Sequence, residues 1–99
     1  MIDYQFQWDS RKAKLNAGKH KVTFDEAWTA FYDELAYKFF DRDHSEHEDR
    51  YILLGMSRRL RVLVVSFCHR HSDTVIRLIS ARKADSLESQ TYWRRGKQL

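Results

Sequence analysis

The segment Ile76-Arg77-Leu78-Ile79-Ser80-Ala81-Arg82-Lys83 constrains the fold more than any other part of the chain. Its apolar, β-branched character reads as a strand, yet it carries two arginines. A guanidinium inside a sheet is costly unless an anionic partner meets it. Strict alternation puts Arg77 on a face with Val75, Ile79 and Ala81, and Arg82 on the other with Ile76, Leu78 and Ser80. Both reach one cleft only if the strand bulges or ends before Arg82. The competing reading pairs Arg77 with a carboxylate, such as Glu48 or Glu88, that ties the sheet together.

The flanking pattern supplies the rest of the architecture. Ile2, Tyr4, Phe6 and Trp8 alternate with polar residues, so 2–8 reads as a half-buried strand. Asp9 or Ser10 can cap a helix running to about Ala17, with Gly18 near its end. Thr23-Phe24-Asp25-Glu26 has capping-box spacing and opens a second helix. Its positions Phe24, Ala27, Trp28, Phe31 and Leu35 form a core face. Residues 37–41 read as a short strand, and 42–49 are too polar to bury and form an exposed connection. Residues 50–56, 60–69 and 74–82 read as three strands of a meander, with turns at 55–59 and 70–73. Residues 85 to about 95 form a last helix, with Asp85 and Glu88 again at capping-box spacing. N-terminal strand, two helices, antiparallel sheet meander and C-terminal helix predict one α+β domain over residues 1–99.

With 99 residues, 42% hydrophobic and 14% aromatic, the chain can close one core without staples and is too apolar for disorder. The single cysteine, Cys68, excludes an internal disulfide and fits a reducing compartment. Its place in an apolar strand makes it a buried thiol rather than a nucleophile. No apolar run approaches the roughly 20 residues that cross a bilayer, and no signal peptide is visible. A soluble cytoplasmic protein without a membrane partner is therefore expected. The net charge of +4 conceals a split, because residues 1–49 balance to −4 and residues 50–99 to +8. Such asymmetry suggests that one side of the fold meets an anion, with nucleic acid the expected partner. The plainer alternative is that the two halves neutralise each other on folding.

A second word, Trp8-Asp9-x-x-Lys12-x-x-x-Asn16-x-x-Lys19-His20, sets Lys12, Asn16 and Lys19/His20 about one turn apart on a helix face. Further along stand Phe24-Asp25-Glu26-Ala27, Glu48-x-Arg50, Gly55, the 76–83 segment, and Glu88 with Tyr92. In this order and spacing the chain resembles, over nearly its whole length, the BrnT family of bacterial type II toxins. These are small ribonucleases neutralised by a co-encoded antitoxin. Ser10 stands where many relatives are expected to carry proline, which bears on how the first helix starts and not on chemistry. The resemblance implies the compact ribonuclease architecture of RelE-type toxins and metal-independent cleavage of cellular RNA without a cofactor. It also implies growth inhibition and silencing by a BrnA-type ribbon-helix-helix antitoxin, through which alone the complex meets operator DNA.

RNA cleaves itself when its 2′-hydroxyl attacks the neighbouring phosphorus. A protein helps by taking that proton, neutralising the crowded phosphorane and protonating the departing 5′-oxygen. Acid–base help is worth ~10²–10⁴-fold, and fixed cations often more. Arg50, Arg77 and Arg82 are the candidate cations, since a planar fork that never deprotonates suits bidentate phosphate contacts. His20 could act as acid or base, or cap the end of the first helix. Glu88 could be the base, orient an arginine, or cap the last helix. Tyr92, one turn further, could stack on a base, donate its phenol proton or seal the core.

Lys12, Lys19, Lys83, Arg94 and Arg95 are candidate RNA contacts, and the tail through Lys97 could follow RNA or bind a partner. His44-Ser45-Glu46-His47-Glu48 holds zinc-type ligands but lacks the helix-borne His-Glu-x-x-His pattern, so it reads as a solvated loop and no metal is assigned. The competing functions are a non-catalytic nucleic-acid- or antitoxin-binding module, and a metal-dependent nuclease built on that loop. Trp93 and the sheet edges leave room for a dimer.

Overall fold

In the computed structural model, which describes residues 2–96, a long antiparallel pair forms the middle of the molecule. It consists of β4 (Val62–Arg70) and β5 (Ser72–Lys83). β3 (Tyr51–Met56) and β2 (Tyr37–Phe40) continue the sheet antiparallel on one side. β1 (Gln5–Gln7) joins the other side and runs parallel to β5, giving the order β1-β5-β4-β3-β2. The meander is as expected, but the sheet is mixed rather than wholly antiparallel. Between β1 and β5 lies most of the chain, and a long crossover of this kind is what parallel pairing requires. β1 is also shorter than the alternating pattern, and Ile2 is left exposed.

Three helices complete the α+β fold: α1 (Ser10–His20), α2 (Phe24–Ala27) and α3 (Ser86–Gly96). Asp9 caps α1, its side chain accepting from the Arg11 and Lys12 amides at 2.9 and 3.0 Å. Gly18 does not end this helix; it lies inside it. The stop comes at Lys21, in the left-handed region with φ 59°, whose amide closes on the Ala17 carbonyl at 3.0 Å. The second helix is also shorter than its pattern: after Ala27 it tightens into a 3₁₀ segment, Trp28–Tyr32. Leu35 therefore leaves that face and packs beside Tyr92 in a separate cluster.

The sheet buries its two faces differently. Leu53, Leu63, Val65, Phe67, Ile76, Leu78 and Ala81 meet Val22, Phe24, Ala27 and Ala30 of the helical layer. Each fully buried Val, Leu, Ile or Phe there stabilises the fold by about 1.5–3 kcal/mol. On the second face the buried cluster beside α3 is small, Leu54, Val64 and Tyr92 of α3 itself, with Cys68 buried further along the sheet. Gly55 makes the first layer possible: a Cβ there would lie 2.8 Å from the Ala36 Cβ and 3.0 Å from the Ala30 carbonyl oxygen.

Two polar anchors lock the helical layer to the sheet. Asn16, buried, donates to the Ala81 and Val22 carbonyls at 2.9 Å each and accepts from the Ala81 amide at 3.0 Å. It thereby satisfies the edge of β5 beyond the end of β1 as a neighbouring strand would. Glu26 does not complete the capping box, although its amide does donate to the Thr23 hydroxyl at 3.0 Å. Its carboxylate instead accepts from Ser57 Oγ at 2.6 Å and from the Arg61 guanidinium, with Nε at 2.9 Å. This ion pair holds the β3–β4 turn onto α2, and the arginine keeps the carboxyl below its ordinary range.

Asn16→Leu tests the first anchor. Leaving the buried Ala81 amide and two carbonyls unpaired should cost about 2–4 kcal/mol in denaturant unfolding. A variant as stable as the wild type would show that α1 is held by apolar packing alone.

Candidate functional site

The second face of the sheet carries a cleft of about 300 Å³ on the part that α3 leaves uncovered. Its floor is Ile52, Val64 and Ile79, with Ser66 and Ser80 beside them; Arg50, Arg82, Asp41 and His44 form its walls. The parity of β5 decides that Arg82 is there. Ser80 pairs with Ser66 but Leu78 pairs with Phe67, so Ile79 is an extra residue, a β-bulge. Arg82 then stands opposite Val64 and Arg77 opposite Cys68, four apart on β4 and hence on the same face. The bulge reconciles the two arginines with a core that keeps Leu78 and Ala81 on the opposite side.

Arg50 precedes β3 and extends its second-face row of Ile52 and Leu54. Arg50 lies in line with Cys68 and Arg82 with Val64, so they are two strands apart and four residues apart along the sheet, roughly 16 Å between backbones by strand geometry, and their long side chains line the same cleft. Their partners differ. Arg82 donates from Nη1 and Nη2 to the two oxygens of Glu88 at 2.8 Å each. Glu88 also accepts from the Asp85 amide at 2.9 Å while its own amide donates to Asp85 Oδ1 at 2.8 Å, a complete capping box. The guanidinium and the cap hold the Glu88 carboxyl below its ordinary range. Such an acceptor is a poor base and a good orienter of Arg82.

Arg50 has no side-chain hydrogen bond among the described residues. Its Nε is 3.8 Å from Glu48, whose other oxygen is occupied by Arg70 Nη1 at 2.7 Å. On the cleft wall, Asp41 Oδ2 is 2.9 Å from His44 Nδ1. With Nδ1 engaged in this way, Nε2 is the nitrogen available to exchange a proton. The loop is therefore used neither as a solvated spacer alone nor as a ligand cluster: Glu48 belongs to Arg70 and His44 to Asp41. No three potential metal ligands converge among the described residues.

The other candidates are placed elsewhere. Arg77 shares the face but turns toward β1, donating to Gln7 Oε1 at 3.2 Å rather than to Glu48 or Glu88. Tyr92 is 2% exposed and donates to Asp33 Oδ2 at 2.6 Å. Burial and that carboxylate keep its phenol protonated far above the usual range, so it seals the second core and cannot stack on a base. Lys12, Lys19 and His20 lie on α1, which packs on the first-face layer and not beside the cleft. Lys83 ends β5 opposite Leu63, on the first face as well. Arg95 lies over the Tyr37 ring at 3.9 Å, and Arg94 lines a shallow groove with Trp93. Lys97 lies outside the described residues. Cys68 is buried, and burial pushes its thiol up, away from nucleophilic behaviour.

His44, Ser66 and Ser80 escaped the reading of the chain as site residues. Ser80 was recoverable, since it is two residues from Arg82; Ser66 required the β4–β5 register. His44 was masked by its neighbours, which suggested metal ligands rather than an Asp–His pair.

Compared with known protein families, residues 8–88 match the one described as "Ribonuclease toxin, BrnT, of type II toxin-antitoxin system". Among solved structures, the chain is similar to the crystal structure of the Brucella abortus ribonuclease toxin, BrnT. The two share 22% identity, with 85% of this chain and 100% of that chain covered and a TM-score of 0.63. At that identity the likeness is one of fold, with the same α+β arrangement. Curated protein sequences give no match.

Glu88→Gln keeps the shape of the cap and removes its charge. At pH 7 the variant should be about 1–2 kcal/mol less stable, solvent screening at this half-exposed pair limiting the loss. Because folding lowers the Glu88 pKa, its contribution is full above the ordinary value of 4.5 and lost as pH falls through the lower folded value. The gap between wild type and variant, measured by denaturant unfolding, should therefore close toward pH 3. A gap that persists there would mean that the charge is not what stabilises.

Proposed function

Since the chain belongs to the BrnT family of ribonuclease toxins of type II toxin–antitoxin systems, we propose that the cleft between Arg50 and Arg82 is where it cleaves RNA. The observation that carries this reading is Arg50 on the cleft wall: its Nε has no hydrogen-bond partner among the described residues and meets Glu48 only at 3.8 Å. A phosphodiester supplies what it lacks. Arg82, pre-oriented by Glu88, grips the same phosphate from the opposite wall, and the two cations meet the charge that builds on the phosphorane. Arg82 is already held in place by its carboxylate and so loses little freedom on binding.

Proton transfer falls to His44. Asp41 holds Nδ1, and Nε2 takes the proton of the attacking 2′-hydroxyl, then returns one to the departing 5′-oxygen. Ser66 and Ser80 supply hydroxyl donors for the non-bridging oxygens. Every chemical role is thereby filled by side chains, which supports an endoribonuclease acting without metal. Cleavage of cellular RNA would arrest translation and growth. A co-encoded BrnA-type antitoxin would silence the toxin by covering the open second face, which exposes cations to an acidic partner segment.

Arg50→Ala tests the assignment. With purified protein, an RNA substrate and excess chelator, the wild type should cleave and the variant should lose about 10²–10³-fold in kcat. Its stability should stay within about 0.5 kcal/mol of wild type, because no hydrogen bond is removed. Undiminished cleavage by the variant, or wild-type cleavage that depends on added metal, would overturn the proposal.

A further inference from the structure

Beside the phosphate cleft lies a second depression of about 180 Å³ between β2 and α3. The two are continuous, sharing Ile52, Val64 and Arg82. One wall is Phe39, the other Leu87 with Thr91, and Tyr37 and Leu54 close the inner end. Phe39 is 44% exposed and Leu87 73% exposed, so two large apolar side chains face each other across an open slot at the rim of a cationic cleft. Packing accounts for them only in part: the Phe39 ring leans on Tyr37 at 5.8 Å, but Phe39 is on an edge strand and Leu87 near the start of α3, and neither belongs to either core cluster.

We infer that this slot is a nucleobase subsite, which takes the base attached to the phosphate held by Arg50 and Arg82. The inference rests on the cleft being the RNA site and adds which part of the substrate fills the space beside it. Three features select a base. The Phe39 ring offers an exposed aromatic face, the surface on which unstacked RNA bases settle. The volume is close to that of a cavity of about 150 Å³ that holds one benzene ring, so a single planar group fits between the walls. Continuity through Arg82 places the slot one nucleoside away from the phosphate. Tyr37 is not free to stack outward, because Arg95 already covers its ring at 3.9 Å.

The slot reads base size rather than identity. Both Glu88 oxygens are occupied by Arg82 and the Asp85 amide, and the Thr91 hydroxyl donates to the Leu87 carbonyl at 3.0 Å. Few free donors or acceptors remain to recognise a base edge. Stacking area then ranks the ligands, purines ahead of pyrimidines, with little distinction between adenine and guanine.

A double-mutant cycle tests this with an RNA oligonucleotide carrying 2′-O-methyl groups, which cannot be cleaved, and copies of it with one abasic nucleotide at each position. At one position, the abasic change should weaken binding to the wild type by roughly 5- to 100-fold and have almost no effect on Phe39→Ala. Leu87→Ala, at an exposed helix position that folding does not need, should reproduce the loss of coupling. Equal abasic effects in wild type and both variants would overturn the subsite. So would variants that bind every oligonucleotide normally but fail to bind the purified antitoxin, which would assign the slot to the protein partner. Cleavage of the matching 2′-hydroxyl RNA by the wild type, run alongside, separates failure of the subsite from failure of the ribonuclease assignment.

Discussion

One residue without a partner, Ile79, decides which way the second half of β5 faces. In an unbroken ladder, Arg82 and Leu78 would share a side. Either an arginine would enter the helix-covered core or a leucine would leave it, and burying the unpaired guanidinium is by far the costlier outcome. The bulge removes the conflict by inserting one residue between the two halves. Leu78 and Ala81 then both face the helices, and Arg77, Ser80 and Arg82 all face the open side. An extra residue in a strand costs local pairing, and here the well-packed pairs on both sides of it offset that cost.

The two faces of the sheet consequently have different tasks. The first is closed by α1, α2 and the 3₁₀ segment, and its polar anchors are Asn16 of α1, bonded to β5, and Glu26 with Arg61, whereas His69 Nδ1 at its far end has no hydrogen-bond partner among the described residues. The second is closed only at one end, by α3. There the Glu88 carboxylate performs two functions, completing the helix cap and fixing Arg82. The helix start and the cleft wall are therefore one electrostatic unit, and displacement of α3 would also displace the arginine. Arg50 is built in the opposite way, left without a hydrogen bond beside a carboxylate that another arginine has claimed. A ligand-binding cation is most effective when its own fold has not already satisfied it.

Much of this was legible in the chain. The meander, the closing helix and the Asp85–Glu88 cap followed from periodicity and spacing, and the opposite parity of two arginines showed that they could share a face only if the strand bulged or ended before Arg82. What could not be read were features that depend on distant pairing. β1 lies parallel because of where β5 ends up, not because of anything in residues 2–8. Glu26 has the spacing of a capping residue, but Arg61, which comes to lie against it in the fold, offers a stronger charge-assisted bond. Tyr92 is four residues from Glu88 and shares its helix, yet the half-buried Asp33 carboxylate draws its hydroxyl inward. The cationic stripe of α1 was clear in sequence, but Asn16 pins that helix to the far layer, so Lys12, Lys19 and His20 are not gathered with the sheet arginines. Local patterns set the elements, and long-range partners chose among the roles each side chain could take.

The central claim is that Arg50 beside β3 and Arg82, turned to the same face by the β-bulge in β5, hold the phosphate that is cut. Its most direct test is a crystal structure of the protein with an RNA strand made inert by a 2′-deoxy nucleotide at the cleavage position. The account predicts a phosphate bridging Arg50 and Arg82, with guanidinium nitrogens about 2.7–2.9 Å from its oxygens and the His44 ring next to the sugar. A strand tracking along Lys12, Lys19 and His20 on α1, with no phosphate between the two arginines, would contradict it.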